Sequence, residues 1–143
     1  MQRDPAPASR FAGTYRFDLS ASHGDRSHAS SVTITLDVAP TGVALLSGGT
    51  DTAVDGVVRG TVTSGRCAIA DGGSLSCNAL YLVEHSDDAE LFRLTGKLTA
   101  AGDGVTGVGR YLAGVDPPYD IYVPGGWTAA RESAPRVLFS RRF

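Results

Sequence analysis

Few residues in this chain have the type and spacing to do chemistry, and the pair Glu84-His85 comes first. It follows Leu80-Tyr81-Leu82-Val83. If that run is extended, its side chains alternate. Leu80, Leu82 and Glu84 then share one face, and Tyr81, Val83 and His85 share the other. One of the two ionisable groups would continue an apolar line toward the interior or mouth of a sheet, and the spacing leaves open which. A buried carboxylate keeps its proton to higher pH and can act as a general acid. The plain alternative is a solvated residue at a rim.

A second set is aromatic and basic: Tyr15, Tyr81, Tyr111, Tyr119, Tyr122, Trp127, Arg93, Arg110 and Arg131. Aromatic walls with a few convergent polar groups are what a small-molecule site needs. Ordinary core packing with surface arginines is the competing reading for any one of them. His23 and His28 lie five apart in a polar stretch, Ser20 to Ser31, which reads as a loop rather than a metal site. No Ser-His-Asp arrangement, phosphate loop or paired-carboxylate signature is present. Gly104-Val105-Thr106-Gly107-Val108-Gly109 imitates a nucleotide loop but lies in a strand context with no helix after it.

Cys67 and Cys77 are symmetric about Gly72. With Asp71-Gly72-Gly73 as a hairpin loop, Ala70 faces Ser74, Ile69 faces Leu75, Ala68 faces Ser76 and Cys67 faces Cys77. Opposed residues of an antiparallel pair lie about 4.5–5.5 Å apart, within reach of a disulfide. A cross-strand bridge is therefore feasible, and two buried free thiols are the alternative. A bridge points to an extracytoplasmic home and free thiols to the cytoplasm. A metal role is not expected of either cysteine, because no neighbouring His or Cys completes a ligand set.

The elements that must position these residues are strands. Phe11 to Leu19 alternates, with Phe11, Tyr15, Phe17 and Leu19 on one face, and Val32, Ile34 and Leu36 alternate with Thr33, Thr35 and Asp37. Pro40-Thr41-Gly42 closes a hairpin onto Val43 to Leu46. Val54 to Thr63 reads as a strand crossed by Gly56 and Gly60, ended by a turn at Ser64-Gly65. Arg66 to Ala70 pairs with Ser74 to Glu84, and Glu90 to Thr99 with Gly104 to Leu112 around Ala101-Gly102-Asp103. Asp116-Pro117-Pro118 is a loop. Ile121 to Val123, Trp127 to Arg131 and Val137 to Phe143 read as late strands. This makes about eight to ten short strands with regular turns and no helix, the pattern of a single antiparallel up-and-down β-barrel, with a sandwich as the alternative. The glycines inside strands favour the curvature of a barrel. Residues 1–10, polar and bearing Pro5 and Pro7, read as a flexible arm, and residues 11–143 as the barrel domain.

Composition bounds the rest. The 143 residues suit one domain, and a hydrophobic fraction of 42% is too high for disorder. A net charge of -2 gives no global attraction to nucleic acid or an anionic membrane. No apolar run approaches the roughly 20 residues of a membrane span. No apolar stretch follows Met1, so the chain reads as cytoplasmic or as a mature secreted form. One Lys against twelve Arg is a bias associated with bacterial genes of high GC content.

Two segments resemble known barrels. Phe11-Ala12-Gly13-Thr14-Tyr15 resembles the glycine-x-tryptophan opening of the lipocalins (calycins), with Tyr15 in place of Trp. Arg131 is similar to the late lipocalin arginine that packs across the barrel base. Val105-Thr106-Gly107-Val108-Gly109-Arg110-Tyr111-Leu112-Ala113-Gly114 is similar to the glycine-rich strand and turn of the allene oxide cyclase, dirigent and spirotetronate cyclase barrels. Members of that group also often carry a cysteine in the preceding strands, as Cys67 and Cys77 do here. These resemblances imply an eight-stranded barrel that holds an apolar small molecule, without a cofactor. Several members are oligomers, so a homo-oligomer is among the expectations.

Two functions follow as expectations. One is a cofactor-free cyclase of a natural-product intermediate, which confines a flexible substrate in a reactive conformer. Its catalytic groups would be Glu84, Arg93 and Tyr111, and Tyr15, Phe17, Tyr81, Tyr122 and Trp127 would line the cavity. The other is a secreted, non-catalytic lipocalin-like carrier.

Overall fold

The computed structural model describes residues 7–23, 26–85, 87, 89–114 and 122–133. Nine strands account for most of them: β1 (Gly13–His23), β2 (Arg26–Val38), β3 (Val43–Ser47), β4 (Thr50–Ala53), β5 (Val58–Ile69), β6 (Ser74–Val83), β7 (Ala89–Ala101), β8 (Gly104–Gly114) and β9 (Tyr122–Ser133). Every pairing is antiparallel, and β1 pairs with both β2 and β9, so the sheet closes on itself. β3 and β4 both lie between β2 and β5. β3 pairs with their Thr35–Val38 and Gly65–Ala68 ends, and β4 with the opposite ends. They are one stave broken at Gly48-Gly49. The fold is an up-and-down barrel of eight staves, as the strand and turn pattern predicts.

Alternation explains the closure. β1 turns Tyr15, Phe17, Leu19 and Ala21 inward, and β2 turns Val32, Ile34, Leu36 and Val38 inward. Arg16, Asp18, Thr33, Thr35 and Asp37 face solvent. On these two strands the inner face is apolar and the outer face polar, while Val43, Leu45, Leu80, Leu82 and Val108 are exposed on other strands. No helix among the described residues is long and apolar enough to cross a membrane.

One end is closed by the chain itself. A 3-10 turn, Ala8–Phe11, lies across it with Ala8 and Phe11 fully buried. The hairpins at 39–42, 70–73 and 101–104 surround this base. The 70–73 hairpin shows why glycine is needed: Gly73 has φ +102°, and a Cβ there would fall 2.0 Å from the Leu98 carbonyl oxygen. Arg131, opposite Tyr15 on β1, ties the base together. Its Nη1 donates to the carbonyls of Arg10 (2.8 Å) and Ala12 (3.0 Å), and its Nη2 to that of Asp103 (3.2 Å).

Three local expectations are corrected. Ser20 to Ser31 is not a loop: β1 continues to His23 and β2 begins at Arg26, because Leu19, Ala21 and Ser30 still alternate inward and the ladder satisfies the backbone. Val54 to Val57 is a turn rather than strand, with Gly56 N–H bonded to the Ala53 carbonyl (2.8 Å) and Ala53 N–H to that of Val57 (2.8 Å). Ser64-Gly65 does not reverse the chain, since β5 runs through it with a bulge between Val62 and Gly65. The expected loop at Asp116-Pro118 and strand at Val137 to Phe143 lie outside the described residues.

Candidate functional site

The lower and middle interior is filled by aromatic rings set against glycines. A Cβ at Gly96, Gly107 or Gly109 would approach the Trp127 indole to 2.7, 2.8 or 2.7 Å. Trp127 Nε1 is satisfied by the carbonyls of Thr95 (3.1 Å) and Arg110 (3.0 Å). Phe17 packs on Trp127 with ring centroids 5.0 Å apart, and Tyr15 on Phe17 at 6.1 Å. The Tyr15 hydroxyl donates to the Phe11 carbonyl (2.6 Å), which fixes it to the base. Burial pushes its ionisation up to about 12, against the opposing charge and hydrogen bond of Arg131. Tyr15, Phe17 and Trp127, expected to line a cavity, are packed core.

The upper half of the same buried core carries a second aromatic set. Tyr81 on β6, Phe92 on β7 and Tyr111 on β8 form a row of three rings, with centroids 5.9 Å apart at both steps. Space for the outer two rings again comes from glycine. A Cβ at Gly60 would lie 2.3 Å from Tyr81 Cε1, and one at Gly125 would lie 2.3 Å from Tyr111 Cε1. Facing the row from β4, directly opposite Gly60, is Asp51, which is only 3% exposed. The Tyr81 hydroxyl donates to Asp51 Oδ2 (2.6 Å), while Oδ1 is buried and has no hydrogen-bond partner among the described residues. Tyr81 ionisation is pushed far above the usual phenol range, first by burial, then by its bond to Asp51 and that residue's negative charge. Glu90 adds to the rise and Arg59 opposes it. Tyr111 is shifted the same way by burial, with Arg59 opposing and Asp51 assisting.

A buried carboxylate oxygen without a donor is unfavourable by about 1–3 kcal/mol or more. Packing alone gives no reason to place one among aromatic rings. An apolar interior with one unsatisfied acceptor can instead orient a molecule that brings a hydrogen-bond donor.

Asp51 is the residue that sequence reasoning missed. Ala44 and Leu46 point inward, so unbroken alternation would turn Thr50 inward and Asp51 out. Thr50 is exposed and Asp51 buried because the break at Gly48-Gly49 reverses the parity. The bulge in β5 lies beside this break, with Val62 N–H donating to the Gly49 carbonyl (3.0 Å). The two glycines were the available signal.

Of the other predicted site residues, Tyr81 and Tyr111 are brought together in the row. Glu84 and His85 are both exposed in the turn after β6, so neither continues the apolar line. Arg93 is exposed on the outer face of β7, its Nε bonded to Asn78 Oδ1 (3.0 Å). The side chains of Tyr122, His23 and His28, and all of Tyr119, lie outside the described residues. Cys67 and Cys77 are directly opposed on β5 and β6, buried and joined by a disulfide (S–S 2.04 Å), in the register read from the sequence. Among the described residues, no three His, Cys, Asp or Glu side chains gather as a metal site would require.

A groove of about 570 Å³ also crosses the outside of β8, β9, β1, β2 and β4. Its charged lining residues, Arg16 and Asp18, are exposed and pair with each other at 3.2 Å. Such a pair contributes little to stability, and neither group is left unsatisfied.

No protein-family model, no curated protein and no solved structure matches the chain.

Proposed function

We propose that this barrel binds a small, largely apolar molecule in its upper half, between the Tyr81–Phe92–Tyr111 row and β4, with Asp51 as the polar anchor. The observation that carries this reading is the buried, unpartnered Oδ1 of Asp51 beside three aromatic rings. The opposite end favours entry from above, since the 3-10 turn and Arg131 close the base. The same base supports the lipocalin-like form of the resemblance: Gly13 and Tyr15, which resemble the glycine-x-tryptophan opening, begin β1, and Arg131 stands opposite Tyr15. The disulfide fits a carrier made for an oxidising compartment.

A cyclase reading uses the same site. Asp51 Oδ1 is an acceptor held in apolar surroundings, and Tyr111 is the predicted catalytic residue that lies near it. Glu84 and Arg93 have no part in that version, because both face solvent. The carrier is preferred, since it needs only the anchor and the apolar wall.

The test is titration with the neutral fluorophore N-phenyl-1-naphthylamine. Saturable one-to-one enhancement is expected, weakened about tenfold or more in Tyr111→Ala and unchanged in Glu84→Gln. Absence of saturable binding to the wild-type protein overturns the reading. A natural-product precursor that is turned over by the wild type and bound but not turned over by Asp51→Asn would replace the carrier with the cyclase.

A further inference from the structure

Resting on that binding site, we infer that the ligand is a cation: a protonated amine carried on an apolar or aromatic body. The first reason is the bonding at Asp51. An ionised carboxylate accepts hydrogen bonds and donates none, and Tyr81 supplies a donor to one oxygen only. The partner that completes the site is therefore a donor. Among the described residues no basic side chain forms an ion pair with Asp51, and the nearest described cation, Arg59, is exposed and acts on Tyr81 and Tyr111 through its charge alone. A buried carboxylate is matched best by a partner that brings both a donor and a positive charge.

The second reason is the wall. Tyr81, Phe92 and Tyr111 present aromatic rings beside the carboxylate, and ring faces attract cations through their quadrupole. A neutral apolar molecule could use these rings, but it would leave Oδ1 as it is. A carboxylic acid would bring a second negative charge against Asp51 and Glu90.

The third reason is the charge on the described turns of the upper end. Asp55 and Glu84 are exposed in the turns after β4 and β6, Asp87 is exposed before β7, and the charge of Glu90 reaches Tyr81. Arg59 and His85 are the described basic side chains on these segments, and both are exposed. An acidic rim raises the local concentration of cations and lowers that of anions.

The experiment uses three molecules that share one ring system: 2-(naphthalen-2-yl)ethylamine, 2-(naphthalen-2-yl)ethanol and naphthalen-2-ylacetic acid. Each is titrated into the full-length protein by calorimetry at pH 7. The amine is expected to bind at least about tenfold more tightly than the alcohol, and the acid most weakly, as a charge-assisted hydrogen bond implies. In Asp51→Asn the advantage of the amine over the alcohol should disappear. If the alcohol or the acid equals the amine on the wild-type protein, the cation inference fails while the binding site stands. If none of the three binds, the site itself fails. A preference for the amine that survives Asp51→Asn removes Asp51 as its source. The wild-type series decides the ligand class even if the variant does not fold.

Discussion

Tyr81 is held by packing and by its bond to Asp51, whereas Asp51 is explained by that bond and not by packing. Their hydrogen bond satisfies the phenol, while the carboxylate keeps one oxygen without a donor among the described residues. Removing one partner should therefore be worse than removing both. Tyr81→Phe is expected to lower unfolding free energy by about 1–3 kcal/mol, because both carboxylate oxygens are then stranded. The double variant Asp51→Leu with Tyr81→Phe should lie within about 1 kcal/mol of the wild type, or above it. Urea unfolding of the set checks this, and a double variant weaker than Tyr81→Phe would contradict it. The buried tyrosines also set a pH limit. Folding raises the ionisation of Tyr15 from 10.0 to about 12 and shifts Tyr81 and Tyr111 the same way. The folded state thus holds protons that the unfolded chain releases, so the stabilisation is complete below pH 10 and is lost as pH rises from there toward 12 and beyond. Absorbance titration at 295 nm should show these phenols un-ionised at pH 11, while the urea midpoint falls steadily above pH 10.

At the scale of elements, the β5–β6 hairpin was the most legible part of the chain. A short glycine loop leaves one register, and that register places Cys67 opposite Cys77. The bridge closes a loop between residues ten apart in sequence. In the chain-entropy account such a loop contributes about 2–3 kcal/mol, so Cys67→Ala with Cys77→Ala should lower stability by that amount. A loss well under 1 kcal/mol by urea unfolding would show that the bridge constrains nothing the ladder does not already hold. β3 and β4 were the least legible, because alternation cannot be carried across Gly48-Gly49. A break that shifts parity by one residue exchanges the inner and outer faces, and here it turned a polar residue inward. Glycines within strands were read as signs of curvature. The structure adds their partners: Gly96, Gly107 and Gly109 make the slot for Trp127, while Gly60 and Gly125 make room for Tyr81 and Tyr111.

At the scale of the whole molecule, the two ends of the barrel divide the work. The base is sealed by Ala8–Phe11 and by the three backbone carbonyls that Arg131 gathers from Arg10, Ala12 and Asp103. Those carbonyls come from two separate segments, the N-terminal turn and the 101–104 hairpin, so the arginine links both of them to β9. Arg131→Met keeps the apolar stem and removes every donor. It should lower stability by about 2–4 kcal/mol, since bonds to a charged donor contribute about 1.5–3 kcal/mol each and water replaces some of them. Thermal unfolding checks the value, and an unchanged midpoint would mean that the 3-10 turn seals the base alone.

The sequence by itself determined the class of the fold. Period-two alternation, glycine-bearing turns and the spacing about Gly72 are local properties, and local properties specify strands, hairpins and the Cys67–Cys77 pair. It did not determine which polar group lies inside. Glu84 follows an apolar run and yet faces solvent, because the run ends in a turn before reaching the interior. Asp51 follows two glycines and is buried, because the barrel corner there reverses the stave. Only the pairing of strands far apart in sequence, which leaves β5 alone between β4 and β6, could decide that among the described residues the buried carboxylate is Asp51 and that Tyr81 bonds to it.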